Sequence, residues 1–172
     1  MHNKEKIARY QKLIEETPVK IQATNHWLTN LVCEISVAFF NKPFRHRASY
    51  NNRLKTTGGR YRLDNHHLEF NWLVLERLSA TIFVQVILHE LCHYHLHLMG
   101  KGYRHRDQDF KRLLKQTGGL RYVPNLRRDE EYPYLYQCLA CEQKIHRFKK
   151  IDTKKYRCRC HGQLSLIDNR LK

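Results

Sequence analysis

The stretch Val86–Leu98, VILHELCHYHLHL, decides how this chain is read. It carries His89, Glu90, His93, His95 and His97 directly behind the apolar run Ile82–Leu88. The run predicts a buried helix, yet its continuation is full of side chains that ligate metals. Residues i and i+4 stand on one helix face about one turn apart, so His89 and His93 can reach one ion. Zinc accepts imidazole nitrogen at ~2.0–2.1 Å. Glu90 follows the first ligand, as in HExxH, and can take a proton from water and pass it to a leaving amine. The ion would lower the water's pKa and polarise a substrate carbonyl.

A third ligand is needed. His95 lies roughly 200° around the helix from His93 and faces away. His97 sits ~12 Å along the axis from His89, too far to share its ion. Both are expected in supporting, packing or surface roles. Gly100 and Gly102 allow the chain to turn back, and His105 beyond them is the best third ligand, with Asp107 and Asp109 as alternatives. Six residues after His93, where a short-spaced third histidine would stand, the chain has Met99.

The rest of the chain frames this helix. Residues 4–16 form a charged helical pattern closed by Thr17-Pro18. Asn25 can cap a second helix through Phe40, with Leu28, Leu31, Val32, Ile35 and Phe39 at helical spacing. Cys33 in that helix reads as packing or a buried thiol. Residues 48–54 and 60–71 are extended and flank a Thr57–Gly59 turn, which reads as a hairpin rich in arginine. A long helix is expected over 72–99, broken near Ser79, and a shorter one over 107–116, stopped by Gly118-Gly119. Residues 120–133, with two prolines and a charge run, read as a linker.

Strand-like pieces follow between cysteines. Cys138 and Cys141 form a CxxC pair, and Cys158, Cys160 and His161 follow. Clustered pairs around short strands indicate a structural zinc, whose binding supplies folding energy to a unit with little apolar surface. Cys160 is the favoured fourth ligand because thiolates dominate such sites, with His161 as the alternative. Lys144, Arg147, Lys149, Lys150, Lys154, Lys155 and Arg157 surround these cysteines as candidate nucleic-acid contacts. Phe148 and Tyr156 among them read as the ribbon's small core.

In 172 residues, Lys plus Arg number 32 against 16 acids, a formal charge of +16. That excess favours an anionic partner, nucleic acid foremost. No apolar run approaches the ~20 residues of a membrane span, and the N-terminus lacks the apolar core of a signal peptide. A cytoplasmic location is expected, and cysteine clustering argues against a disulfide scaffold. Oligomeric state is not legible.

HELCHYHLHLMGKGYRHRDQDFKRLL (His89–Leu114), with TTGGRYRL (Thr56–Leu63) before it and a basic cysteine-paired module after it, resembles the SprT-like family. That family includes bacterial SprT proteins and the eukaryotic Spartan proteases, and the likeness runs from about Asn51 onward. It implies that zinc histidines fall on His89 and His93, the catalytic glutamate on Glu90 and the third histidine on His105. The ribbon cysteines fall on Cys138, Cys141 and Cys158, the second pair being shortened here to CxC. Spartan-type members cleave proteins crosslinked to DNA.

The expected fold is therefore α+β: a zincin-like helical domain with a small sheet over 1–125, then a linker and β-rich zinc ribbon over 126–172. The expected function is a zinc metallopeptidase acting on DNA-bound proteins, with two zinc ions, one catalytic and one structural. The alternative is a nucleic-acid-binding zinc protein whose HExxH site is idle.

Overall fold

The protein's structure, a computed structural model, describes residues 2–170. Pro18 and a threonine cap punctuate its first forty residues. Helix α1 (Asn3–Glu16) stops at Thr17, since the proline that follows disfavours helical backbone in the residue before it. A single turn, α2 (Val19–Gln22), leads to α3 (Asn25–Phe40). Thr24 caps α3, its hydroxyl accepting the Trp27 N–H at 3.2 Å. Asn25, expected as the cap, is instead the first helical residue, and its Oδ1 accepts the Tyr50 N–H at 3.0 Å.

Strands β1 (Ala48–Tyr50), β2 (Gly59–Tyr61) and β3 (Leu68–Phe70) form a sheet in the order β1-β3-β2. The hairpin expected around Thr57–Gly59 is not formed. β1 instead pairs parallel to β3, and the antiparallel partner of β3 is β2. The second extended segment folds on itself, turning at Asp64–His66, where His66 has φ 59°. β3 takes the centre because Leu68 and Phe70 are both fully buried. β2, with Gly59 and one large apolar residue, is left at an edge.

After α4 (Leu73–Arg77) the chain breaks at Leu78 and restarts from Ser79, whose hydroxyl accepts the Ile82 N–H at 3.2 Å. The restart is α5 (Ala80–Leu98), the centre of this unit. Its apolar residues are spread around the helix, as expected for a helix buried on several sides. Phe83, Val84, Ile87, Leu88 and Leu91 join Tyr10 and Ile14 of α1, Leu28, Val32 and Ile35 of α3, and Leu68 and Phe70 of β3. Cys92 and Leu96 face α6 (Gln108–Thr117), where Phe110 and Leu114 meet them. Gly118, at φ 79°, closes α6.

The chain divides into two compact units, one ending at Leu126 and the other beginning at Arg127. The linker expected at 120–133 is thus in part structural. Leu126 is buried in the first unit's core and Arg77 donates to its carbonyl at 2.9 Å. In the second unit a 3-10 turn (Asp129–Glu131) precedes β4 (Tyr134–Cys138), β5 (Lys144–Arg147) and β6 (Leu164–Asn169), ordered β5-β4-β6 and antiparallel throughout. Its core is Tyr136, Cys138, Cys158 and Leu164, backed by Tyr134, Ile145 and Ile151. Phe148 and Tyr156 were expected in that core but are 52% and 58% exposed. Both lie outside the strands, beyond the alternation that turns Tyr136 and Cys138 inward. Among the described residues no helix is long and apolar enough to cross a membrane.

α3 and α5 are also joined by a buried polar link. Ser36 donates its hydroxyl to the Lys42 carbonyl at 2.7 Å, so the His95 Nε2–H, 2.8 Å away, donates to it in turn. Replacing Ser36 by Ala strands both partners, and unfolding free energy should fall by about 1–3 kcal/mol. Urea denaturation measures this, and a variant as stable as wild type would refute the role given to the link.

Candidate metal centre and cleft

α5 delivers His89 and His93 one turn apart, and the loop after Gly100 delivers His105 to meet them. The Nε2 atoms of the three rings are 2.9 Å (His89–His105), 3.0 Å (His93–His105) and 3.1 Å (His89–His93) apart. These contacts are not a simple hydrogen-bond ring. His89 places Nδ1 2.7 Å from the Leu120 carbonyl, and His93 places Nδ1 2.7 Å from the Tyr103 carbonyl. A carbonyl only accepts, so in both rings the proton sits on Nδ1 and Nε2 presents a lone pair. Burial pushes the pKa of His89 down to about 4 and that of His93 to about 3, which keeps both neutral near pH 7. His105 is also lowered, by burial and then by the Arg121 charge.

Two lone pairs aimed at each other across 3.1 Å repel unless a cation lies between them. Three nitrogens bound tetrahedrally to one zinc ion stand roughly 3.3 Å apart, close to the spacing here. His89, His93 and His105 therefore form a group that could hold a metal ion. The alternatives for the third ligand serve the loop instead. Asp107 Oδ2 accepts the Arg104 N–H at 2.8 Å, and Asp109 Oδ2 accepts the Gly102 N–H at 3.2 Å. His95 bonds Ser36, as above. His97 Nδ1 lies 2.6 Å from the Tyr61 hydroxyl, which also meets His66 Nδ1 at 2.6 Å. Neither His95 nor His97 joins the group.

Glu90 is only 6% exposed. Burial pushes its pKa up to about 8, opposed by the hydrogen bond its carboxylate accepts from the Tyr61 N–H. The carboxyl is packed against β2: a Cβ built on Gly59 would meet Glu90 Cγ at 2.8 Å and Oε1 at 2.9 Å. Only glycine leaves room there. These groups line a cleft of about 560 Å³ shared by β2, α5, the His105 loop and residues 120–123. Its apolar wall includes Leu63, Val86, Leu120 and Val123, and Arg60, Arg104 and Arg121 also border it. In the pairing of β2 with β3, Arg62 N–H bonds the His67 carbonyl and Asn71 N–H bonds the Gly58 carbonyl. Backbone groups of Gly59 and Tyr61 accordingly turn away from β3.

Several of these groups carry no sequence signal. Gly58-Gly59 reads as a turn until Glu90 is seen against it. The Leu120 and Tyr103 carbonyls are backbone atoms. Arg121 lies in a segment read as linker, yet Nη1 donates to the His105 carbonyl at 2.8 Å.

In the second unit, Cys138, Cys141, Cys158 and Cys160 form another group that could hold a metal. Cys138 and Cys160 sulfurs are 3.5 Å apart and those of Cys141 and Cys158 are 3.6 Å apart. Those separations exceed the ~2.05 Å of a disulfide and approach the roughly 3.8 Å between thiolates on one tetrahedral zinc ion. Backbone N–H groups of Cys141 and Ala140 lower the Cys138 pKa and favour its thiolate. The shortened pair closes because His161 adopts φ 66° and Gly162 packs on the sulfurs, where a Cβ would meet Cys138 Sγ at 2.6 Å. Cys160, not His161, stands in the cluster. Lys144, Arg147, Lys149, Lys150, Lys154, Lys155 and Arg157 are all exposed around it.

A model of the SprT-like family matches residues 28–130. The chain is 54% identical to a Protein SprT-like of Enterococcus faecalis over 83% of this chain and 94% of that protein. It is 48% identical to one from Lactiplantibacillus plantarum, over 81% and 97%, and 47% identical to one from Streptococcus pneumoniae, over 82% and 96%. No solved structure matches. With more than half of the chain under the family model and nearly the full length of these relatives matched, the chain belongs to the SprT-like family.

Proposed function

We propose that this chain is a zinc-dependent endopeptidase with a zincin-like catalytic unit, acting on proteins bound to DNA. The observation that carries the reading is the convergence of three imidazole nitrogens beside a buried carboxyl in one cleft. Zinc held by His89, His93 and His105 would supply a Lewis acid there.

The chain's own groups fit the remaining work. Glu90 has the raised proton affinity of a group that accepts a proton from water and returns it to the amine. A neighbouring cation would draw that affinity down toward neutrality, where one carboxyl serves both transfers. The Tyr61 N–H orients the carboxyl from β2. The outward backbone groups of Gly59 and the Tyr61 carbonyl suit an extended polypeptide laid along the edge of β2. The apolar wall suits one of its side chains.

Seven exposed cations on the second unit, with Phe148 and Tyr156 exposed among them, support a nucleic-acid contact that combines phosphate pairing with base stacking. A second zinc ion on the four cysteines would hold that small unit together.

Three outcomes test this. Glu90→Gln should keep two zinc ions per chain by elemental analysis while cleavage of an unstructured protein falls about 10²–10⁴-fold. Cleavage by the variant at the wild-type rate would remove Glu90 from the chemistry, and a zinc-loaded unsubstituted protein that cleaves nothing would favour an idle site on a nucleic-acid-binding protein. Gly59→Ala should lower kcat at least about tenfold with zinc retained, because the new methyl displaces the carboxyl; an unchanged kcat refutes that packing constraint. Replacing Lys149 and Lys150 by Gln should reduce the slope of log affinity for duplex DNA against log salt by up to about 1.8. A slope equal to wild type excludes these two lysines from phosphate contact.

A further inference from the structure

Three guanidiniums border the cleft, and they are not equivalent. Arg60 is held by Glu69, Nε to Oε2 at 2.9 Å. Arg104 and Arg121 each lie over the ring of a neighbouring tyrosine, 5.9 Å from the Tyr103 centroid and 5.3 Å from the Tyr122 centroid, but only Arg121 is also anchored on a residue of the imidazole group. Arg121 makes one polar contact to the protein, Nη1 to the His105 carbonyl at 2.8 Å, and no carboxylate among the described residues pairs with it. One contact leaves most of its five N–H groups to the cleft. That contact fixes the guanidinium on the very residue whose side chain completes the three-imidazole group.

The placement is costly for the site as a cation binder. Arg121 places positive charge near His89, His93 and His105, opposing the arrival of a metal ion. A cation tolerated beside a cation site calls for an anion between them. Peptide hydrolysis creates one. As the oxygen of water bonds to the carbonyl carbon, a water proton passes to Glu90 and the π pair of the C=O bond moves onto oxygen. The pair then returns, the C–N bond breaks, and the proton leaves Glu90 for the amine nitrogen. Water and an amide give an acid and an amine.

We propose that Arg121 is a catalytic residue whose free guanidinium N–H groups bind the carbonyl oxygen of the scissile peptide and stabilise its developing negative charge. The role rests on the peptidase reading above. It assigns to Arg121 what a backbone oxyanion hole supplies elsewhere.

The full-length chain tests it through Arg121→Gln and Arg121→Lys, with kcat and KM on an unstructured protein and zinc affinity by competition with a chromophoric chelator. Arg121→Gln should lower kcat about 10²–10³-fold, leave KM within about threefold, and tighten zinc binding about three- to tenfold. Arg121→Lys should keep the wild-type zinc affinity and recover at least about tenfold of the lost kcat. A residue that merely anchors the His105 loop gives the opposite metal result, weaker zinc in Arg121→Gln, and that outcome overturns the proposal. So does a kcat within about threefold of wild type in an active enzyme. A zinc-loaded wild type with no hydrolysis instead brings down the peptidase reading, and this role with it.

Discussion

Two hydrogen bonds from imidazole to backbone govern the cleft. Because His89 and His93 each give the Nδ1 proton to a carbonyl, of Leu120 and of Tyr103, their Nε2 lone pairs have no choice of direction. The carbonyls come from segments after α5 and after α6, so the tautomers are set only when those segments have docked. Burial then keeps the rings neutral. Much of the local architecture serves this end: Asp107 and Asp109 pin the loop that carries Tyr103 and His105, and Leu126 anchors the chain beyond Leu120.

The same helix that presents the histidines is the hydrophobic centre of its unit. α5 buries residues against α1, α3, the sheet and α6, and the face that presents His89 and His93 is a small part of its circumference. Such a support is rigid, and a site built on it holds its geometry more closely than one built on loops. Glu90 draws its character from that position. It is a carboxyl inside a core, with one backbone N–H to hold it and a glycine beside it, and its raised pKa is the direct consequence of lost hydration.

The second unit solves a different problem. Its apolar core is four buried residues with a few partners, too little to stabilise such a short chain by burial alone. The four sulfurs stand where a metal crosslink would substitute for the missing core. Phe148 and Tyr156 lie outside that core, at the surface among cations.

The HExxH spacing, the histidine beyond the glycine turn that joins the group, the paired cysteines and the basic excess were legible in the sequence. Each depends on local chemistry or on helix periodicity, which a linear pattern preserves. The α+β class and the break at Ser79 were legible for the same reason. Strand pairing was not: the parallel partner of β3 and the edge position of β2 follow from which residues the core buries, a property of the whole unit. Nor could the sequence show that residues 120–126 belong to the cleft, that Gly59 makes room for a carboxyl, or that Phe148 and Tyr156 face outward. Backbone carbonyls that fix a tautomer and a guanidinium that arrives from a distant segment leave no periodic trace. Only the tertiary structure brings them within hydrogen-bond range, because their partners are distant in sequence and are chosen by packing.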